Sequence, residues 1–122
     1  MRWLLHGNLT PAVSAALLRH EQAVQTLAEA GLAPEASYAD ILEAARVKQL
    51  DILTTDQGLS TAPFEMDLYF KRVIVFLQLT GGDAEQNDAI DRLFTRYKRL
   101  TTGRLYTVTE NRVKIRQLPG SK

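Results

Sequence analysis

Arg72-Val73-Ile74-Val75-Phe76-Leu77-Gln78-Leu79, followed by Thr80-Gly81-Gly82-Asp83, carries the architecture of this chain. The unbroken apolar run Val73-Ile74-Val75-Phe76-Leu77 has no polar face. It predicts a strand over residues 72–79 covered on both sides, as a central strand of a parallel sheet is. The Gly-Gly turn hands the chain to the longest helix, where Asp83 and Gln86 stand as a capping-box start. Ile90, Leu93, Phe94, Tyr97 and Leu100 line the buried face of that helix, and Gly103 ends it. Residues 105–108 and 113–118 then pair as a hairpin around Glu110-Asn111.

Towards the N-terminus, strand and helix alternate. Trp3-Leu4-Leu5 is a short apolar strand, and Thr10-Pro11 opens a helix over residues 11–20. Residues 23–27 read as a weak strand. Ser37 caps a helix of about residues 38–48 whose inner face is Ile41, Leu42 and Ala45. Residues 50–54 make a further strand, and the irregular stretch 57–70 holds a short helix around residues 64–69. The alternation predicts one α/β domain over residues 1–122, three-layered as α/β/α, with a mostly parallel sheet and a C-terminal β-hairpin.

At 122 residues the chain matches one domain. Its 45% hydrophobic and 24% charged residues exclude a disordered chain, a collagen-like repeat and a long coiled coil. The longest apolar run is far below the roughly 20 residues of a membrane helix. His6 and Gly7 interrupt the apolar start before a signal-peptide core can form. The absence of cysteine excludes disulfides, thiolate metal sites and a Cys nucleophile. A cytoplasmic protein without membrane contact is the expectation.

The net charge of +1 conceals an asymmetry. Residues 1–83 hold 6 Lys/Arg against 10 Asp/Glu, and residues 84–122 hold 9 against 4. A basic C-terminal third attracts phosphate backbones. Arg92, Arg96 and Arg99 recur at helical spacing, and Arg112, Lys114 and Arg116 alternate along the last strand. The two rows are candidates for one RNA-binding surface. The alternative is an Asp88–Arg92 surface pair beside a charged, guarded sheet edge.

Asn8-Leu9-Thr10-Pro11 after the first strand, Ile41-Leu42 with Ala45 after Ser37, and the strand ending Thr54-Thr55-Asp56 form an ordered set. With the long strand, the long helix, Gly103-Arg104-Leu105 and Arg112-Val113-Lys114-Ile115-Arg116, it spans nearly the whole chain. This order resembles the compact PIN-like proteins of bacterial toxin–antitoxin type. The resemblance implies a ribonuclease-like α/β fold in which carboxylates at the C-terminal ends of parallel strands hold Mg²⁺ or Mn²⁺ for RNA cleavage.

The chain departs from that pattern where the metal would bind. Where the family's first strand ends Asp-Glu-Asn, this chain reads His6-Gly7-Asn8. Where its helix opens Ser-Asp-Glu-Glu, this chain reads Ser37-Tyr38-Ala39-Asp40. Asp56 alone matches a family carboxylate, and Gln78 stands where Arg is common. By resemblance, Asp56 and Asp40 are the catalytic candidates. Asp56, Asp40 and Asp83 are the metal candidates, and His6, Asn8 and Tyr38 line the pocket. Other readings stay open. Asp40 can complete a capping box. Asp56 can stabilise a turn, His6 can satisfy a carbonyl, and Asn8 can brace its loop.

Hard cations need several oxygens, so Mg²⁺ or Mn²⁺ is expected to bind weakly or not at all. The expected function is a catalytically impaired PIN-like protein acting in RNA or protein binding. The alternative is an active metal-dependent endonuclease of single-stranded RNA, a toxin. The expected partners are RNA, an antitoxin protein or a second copy of the chain. No Gly-rich phosphate loop is present. Ser14, Ser37 and Ser60 lack a nucleophile-elbow context, and His6 and His20 are too far apart in sequence for a helical metal pair.

Overall fold

The computed structural model describes residues 1–119. The last three residues of the expected domain lie outside that range. The chain forms β1 (Arg2–His6), α1 (Pro11–Arg19), β2 (Ala23–Gln25), α2 (Tyr38–Lys48), β3 (Asp51–Thr54), α3 (Gln57–Glu65), β4 (Ile74–Leu77), α4 (Asp83–Arg96), β5 (Arg104–Val108) and β6 (Val113–Gln117). One six-stranded sheet runs in the order β2-β1-β3-β4-β5-β6. Its first five strands are parallel and β6 returns antiparallel to β5. The three-layer α/β/α architecture with a mostly parallel sheet and a C-terminal hairpin is therefore present.

Period-two alternation sends successive strand residues to opposite faces. Trp3, Leu53, Val75, Leu77, Tyr106 and Val108 meet α1 and α4 in one core. Leu4, Ile52, Ile74, Phe76 and Leu105 meet α2 and α3 in the other. Strands β3 and β4 are buried along their whole length, which is why the run at residues 73–77 has no polar face. Each fully buried Leu or Ile contributes roughly 1.5–3 kcal/mol. Across the first core, Trp3 meets Phe94 edge-on at 6.2 Å, and its indole N–H donates to Gln22 Oε1 at 2.9 Å.

The expected strand 72–79 is trimmed to Ile74–Leu77, and four further features differ from the sequence expectation. The helix expected near residues 64–69 starts at Gln57, because the Asp56 carboxylate accepts the Gly58 N–H and caps it. Burial of Leu59 and Ala62 outweighs the backbone bond forfeited at Pro63. Strand β2 stops at Gln25, since Thr26 and Glu29 exchange reciprocal side-chain bonds and turn the chain. Helix α4 ends at Arg96, not at Gly103. Tyr97 takes an extended conformation and packs against Tyr106 at 5.7 Å, while Leu100 stays buried beyond the helix. Asp83 does not cap α4: Gly82 is its N-cap, and Gln86 is drawn elsewhere.

At the strand starts, the fully buried Asp51 accepts the Val73 N–H at 2.9 Å and lies 3.3 Å from the Arg72 guanidinium. It thus ties β3 to the beginning of β4. On the helical surface, Asp91 of α4 meets His20 at 2.8 Å and Arg19 at 3.3 Å. The hydrogen bond with His20 holds the Asp91 carboxyl below its usual range, helped by the Arg19 charge.

Candidate functional site

Strand order makes β1 and β3 parallel neighbours, with His6 opposite Thr54. Helix α1 leaves β1 towards one face of the sheet, and α3 leaves β3 towards the other. The carboxyl ends of β1 and β3 therefore form a topological switch point, the place where open α/β sheets bind ligands. His6, Tyr38 and Asp56, far apart in sequence, meet there, with the Asn8 main chain beside them.

The gathered side chains are tied to one another. Asp56 Oδ1 accepts the Gly58 N–H at 2.8 Å, and Oδ2 accepts the Tyr38 hydroxyl at 2.7 Å. Thr54 Oγ1 accepts the Asp56 N–H at 2.9 Å and meets His6 Nδ1 at 2.8 Å. The rings of His6 and Tyr38 stand edge to face, 6.5 Å apart. Tyr38 lies so close over Gly58 that a Cβ there would collide with its ring and hydroxyl. The bond to Asp56 raises the Tyr38 pKa, so the phenol stays protonated as a donor. Beyond His6 lies a cavity of about 460 Å³ lined by Leu5, Leu9, Thr10, Ser14 and Leu27.

The loop after β1 is held by backbone. Gly7 has φ +92°, a conformation that favours glycine, and a Cβ there would strike Thr55 Oγ1. The Asn8 N–H donates to Thr55 Oγ1 at 2.7 Å. The buried Gln86 amide then accepts from the Thr10 N–H at 2.9 Å and donates to the Asn8 carbonyl at 3.1 Å. Asn8 thus braces the loop through its main chain. The sequence places Gln86 only in a helix cap and Thr55 only in the Thr54-Thr55-Asp56 motif, and assigns neither a part in holding this loop. Gln86 lies on the same helical stripe as Ile90 and Leu93, and that placement of a polar residue was the available signal.

The three metal candidates do not come together. Asp40 has its N–H bonded to Ser37 Oγ at 3.1 Å, at the capping position of α2. Two residues along a helix turn its side chain about 200° away from Tyr38, and it lines a separate cavity with Glu43, Arg46 and Phe70. Asp83 is an exposed first residue of α4. Among the described residues, no three His, Asp or Glu side chains form a group able to hold a metal ion. The residues at the strand ends therefore do not fit a Mg²⁺ or Mn²⁺ centre, and no step through one is derived.

The two basic rows also separate. Cross-strand partners share a face. Lys114 lies opposite Thr107 and Arg116 opposite Leu105, which places them on the α3 side of the sheet. The Arg116 guanidinium sits 3.7 Å over the Phe64 ring there. Arg92 and Arg96 are on α4, across the sheet, and Arg99 lies beyond the helix. Arg112, at the hairpin, lines a groove with Arg92 and Arg96. Arg92 donates to the Thr109 carbonyl at 2.9 Å, so it braces the end of β5 and forms no ion pair with Asp88. One continuous RNA surface made of all six residues is not formed.

Burial lowers the His6 pKa from 6.5, with the negative charge of Asp56 opposing part of the shift. A folded pKa below the unfolded one means that the unfolded chain binds the proton more readily. The neutral ring therefore stabilises the fold fully above about pH 6.5, and that contribution is lost as pH falls through the lowered folded value. Thermal melts of wild type and His6→Gln between pH 7.5 and 5 should show a flatter acid limb in the variant; parallel limbs would refute the shift. No protein-family model, no curated protein and no solved structure matches this chain.

Proposed function

We propose that this chain is a PIN-like domain protein of toxin–antitoxin type that does not cleave RNA and acts by binding, with RNA or protein as its ligand. The family resemblance rests on the ordered residue set from Asn8 to Arg116. The loss of cleavage rests on one observation. Just beyond the end of β3 stands the carboxylate of Asp56, and each of its oxygens already accepts a bond from Gly58 or Tyr38; among the described residues, no three His, Asp or Glu side chains form a group able to hold a metal ion. Metal-assisted hydrolysis needs an ion to lower the pKa of water and to neutralise the developing phosphate charge. A neutral imidazole at His6 and a bare Gly7 supply no charge for that ion. A cytoplasmic location suits this reading, and no helix among the described residues is long and apolar enough to cross a membrane.

The test is incubation of the purified chain with a mixed single-stranded RNA in Mg²⁺ and in Mn²⁺, beside Asp56→Asn. The expected result is RNA as intact as in buffer alone. Robust cleavage that disappears in Asp56→Asn would overturn the proposal and establish the chain as a metal-dependent endonuclease.

A further inference from the structure

Strand β6 closes the sheet on one side, and among the described residues no strand lies beyond it. The Thr109 N–H bonds the Arg112 carbonyl, and the Leu118 N–H bonds the Gly103 carbonyl, both at 2.9 Å. The antiparallel ladder alternates from those two anchors. Lys114 and Arg116 therefore turn their backbone groups towards β5, and Val113 and Ile115 turn theirs outward. Side chains alternate in the same rhythm. Lys114 and Arg116 fall on the α3 side, and Val113 and Ile115 fall on the α4 side with Tyr106 and Val108. Ile115 is 42% exposed. Among the described residues, neither Lys114 nor Arg116 forms an ion pair.

We propose that this edge accepts an extended segment of another protein as an added strand, a segment whose acidic residues alternate with apolar ones. Main-chain bonds to Val113 and Ile115 supply attachment, and alternate side chains supply specificity. Acidic residues of the incoming strand lie beside Lys114 and Arg116. Its apolar residues extend the row made by Val113 and Ile115.

A second copy of this chain is disfavoured by the alternation itself. In any two-fold antiparallel pairing of β6 with its copy, outward-bonding residues pair with outward-bonding ones. With the axis at Lys114, Ile115 or Arg116, these two cations face themselves or each other; centred on Ile115, Lys114 opposes the copy's Arg116. Like charges directly opposite are destabilising. RNA would use the charges and leave the two outward main-chain positions and Ile115 without a role. The inference uses neither His6 nor Asp56, so it does not depend on the non-cleaving reading.

The experiment is fluorescence anisotropy with a labelled eight-residue peptide alternating Glu and Val. A Lys–Val peptide and a U-rich RNA oligonucleotide are the comparison probes. Ile115→Pro removes one outward N–H at a site where an edge strand tolerates proline, and circular dichroism checks that it folds. The Glu–Val peptide should bind wild type and lose about tenfold or more in affinity with Ile115→Pro. The double variant Lys114→Glu, Arg116→Glu should lose the Glu–Val peptide and gain the Lys–Val peptide. That exchange tests the proposal even if the proline variant does not fold. Equal binding of both peptides, no peptide binding, or RNA binding abolished by charge reversal without peptide binding would overturn it. So would a wild-type dimer in sedimentation that Ile115→Pro dissociates, because a second copy would then occupy the edge.

Discussion

Asp51→Ala lowers the unfolding free energy by about 3 kcal/mol, and Asp51→Asn by about 1 kcal/mol. Asp51 is fully buried, and its two oxygens serve different partners: Oδ1 accepts the Val73 N–H at 2.9 Å, and Oδ2 faces Arg72 at 3.3 Å. Alanine strands a main-chain donor in the core, where no water replaces the lost acceptor. Asparagine keeps an oxygen for Val73 and gives up only the charge. Arg72 is 30% exposed in its side chain and can turn to solvent, which limits the cost of losing its partner. For a domain of this size, the alanine variant should melt about 10 °C lower. Chemical denaturation of the three proteins checks the order. Equal losses for alanine and asparagine would mean that the ion pair, and not the bond to Val73, carries the stabilisation.

The double variant His6→Asp, Tyr38→Asp should gain at least about tenfold in affinity for Mg²⁺, a change of about 1.4 kcal/mol. Two carboxylates are added beside Asp56, and removing the Tyr38 hydroxyl releases Asp56 Oδ2. Hard cations bind through carboxylates and retained water, so the three groups need not touch. Without metal the variant should melt below wild type, since nearby carboxylates disfavour one another's ionised forms. Mg²⁺ at ten times its Kd should restore about 1.4 kcal/mol by mass action. Calorimetric titration with Mg²⁺ and Mn²⁺ measures the gain, and adding Asp56→Asn to the double variant should erase it. An unchanged titration would mean that the ends of β1 and β3 do not converge on one ion, and the PIN-like reading would lose its site.

How far the sequence could be read depended on whether a signal was local. The run from Val73 to Leu77 announced a strand buried on both faces because parallel strands leave no face for polar residues. Pro11 and Ser37 marked α1 and α2: proline's fixed φ suits the first helical position, and Ser37 Oγ accepts the free Asp40 N–H, whereas Thr10 stands at the N-cap of α1 without a side-chain cap bond. The helix at Gln57–Glu65 was hidden by Pro63, a residue that reads as a breaker until the burial of Leu59 and Ala62 is known. The basic C-terminal third was legible as charge, but not as a surface. A single-residue alternation puts Lys114 and Arg116 on one side of the sheet, while the helix bearing Arg92 and Arg96 covers the other.

At the site, the order of residues alone put His6-Gly7 at the end of the first strand and Asp56 just beyond the third; the PIN-like resemblance is what made them metal-site expectations. Strand order decided the rest. Pairing β1 with β3 placed His6 against Thr54, the packing of α2 brought Tyr38 onto Asp56, and α4 lent Gln86 to the loop at Asn8. None of these contacts has a sequence period. Each joins residues 18 to 78 positions apart, and only the folded sheet, with helices on both faces, brings such residues within hydrogen-bonding distance.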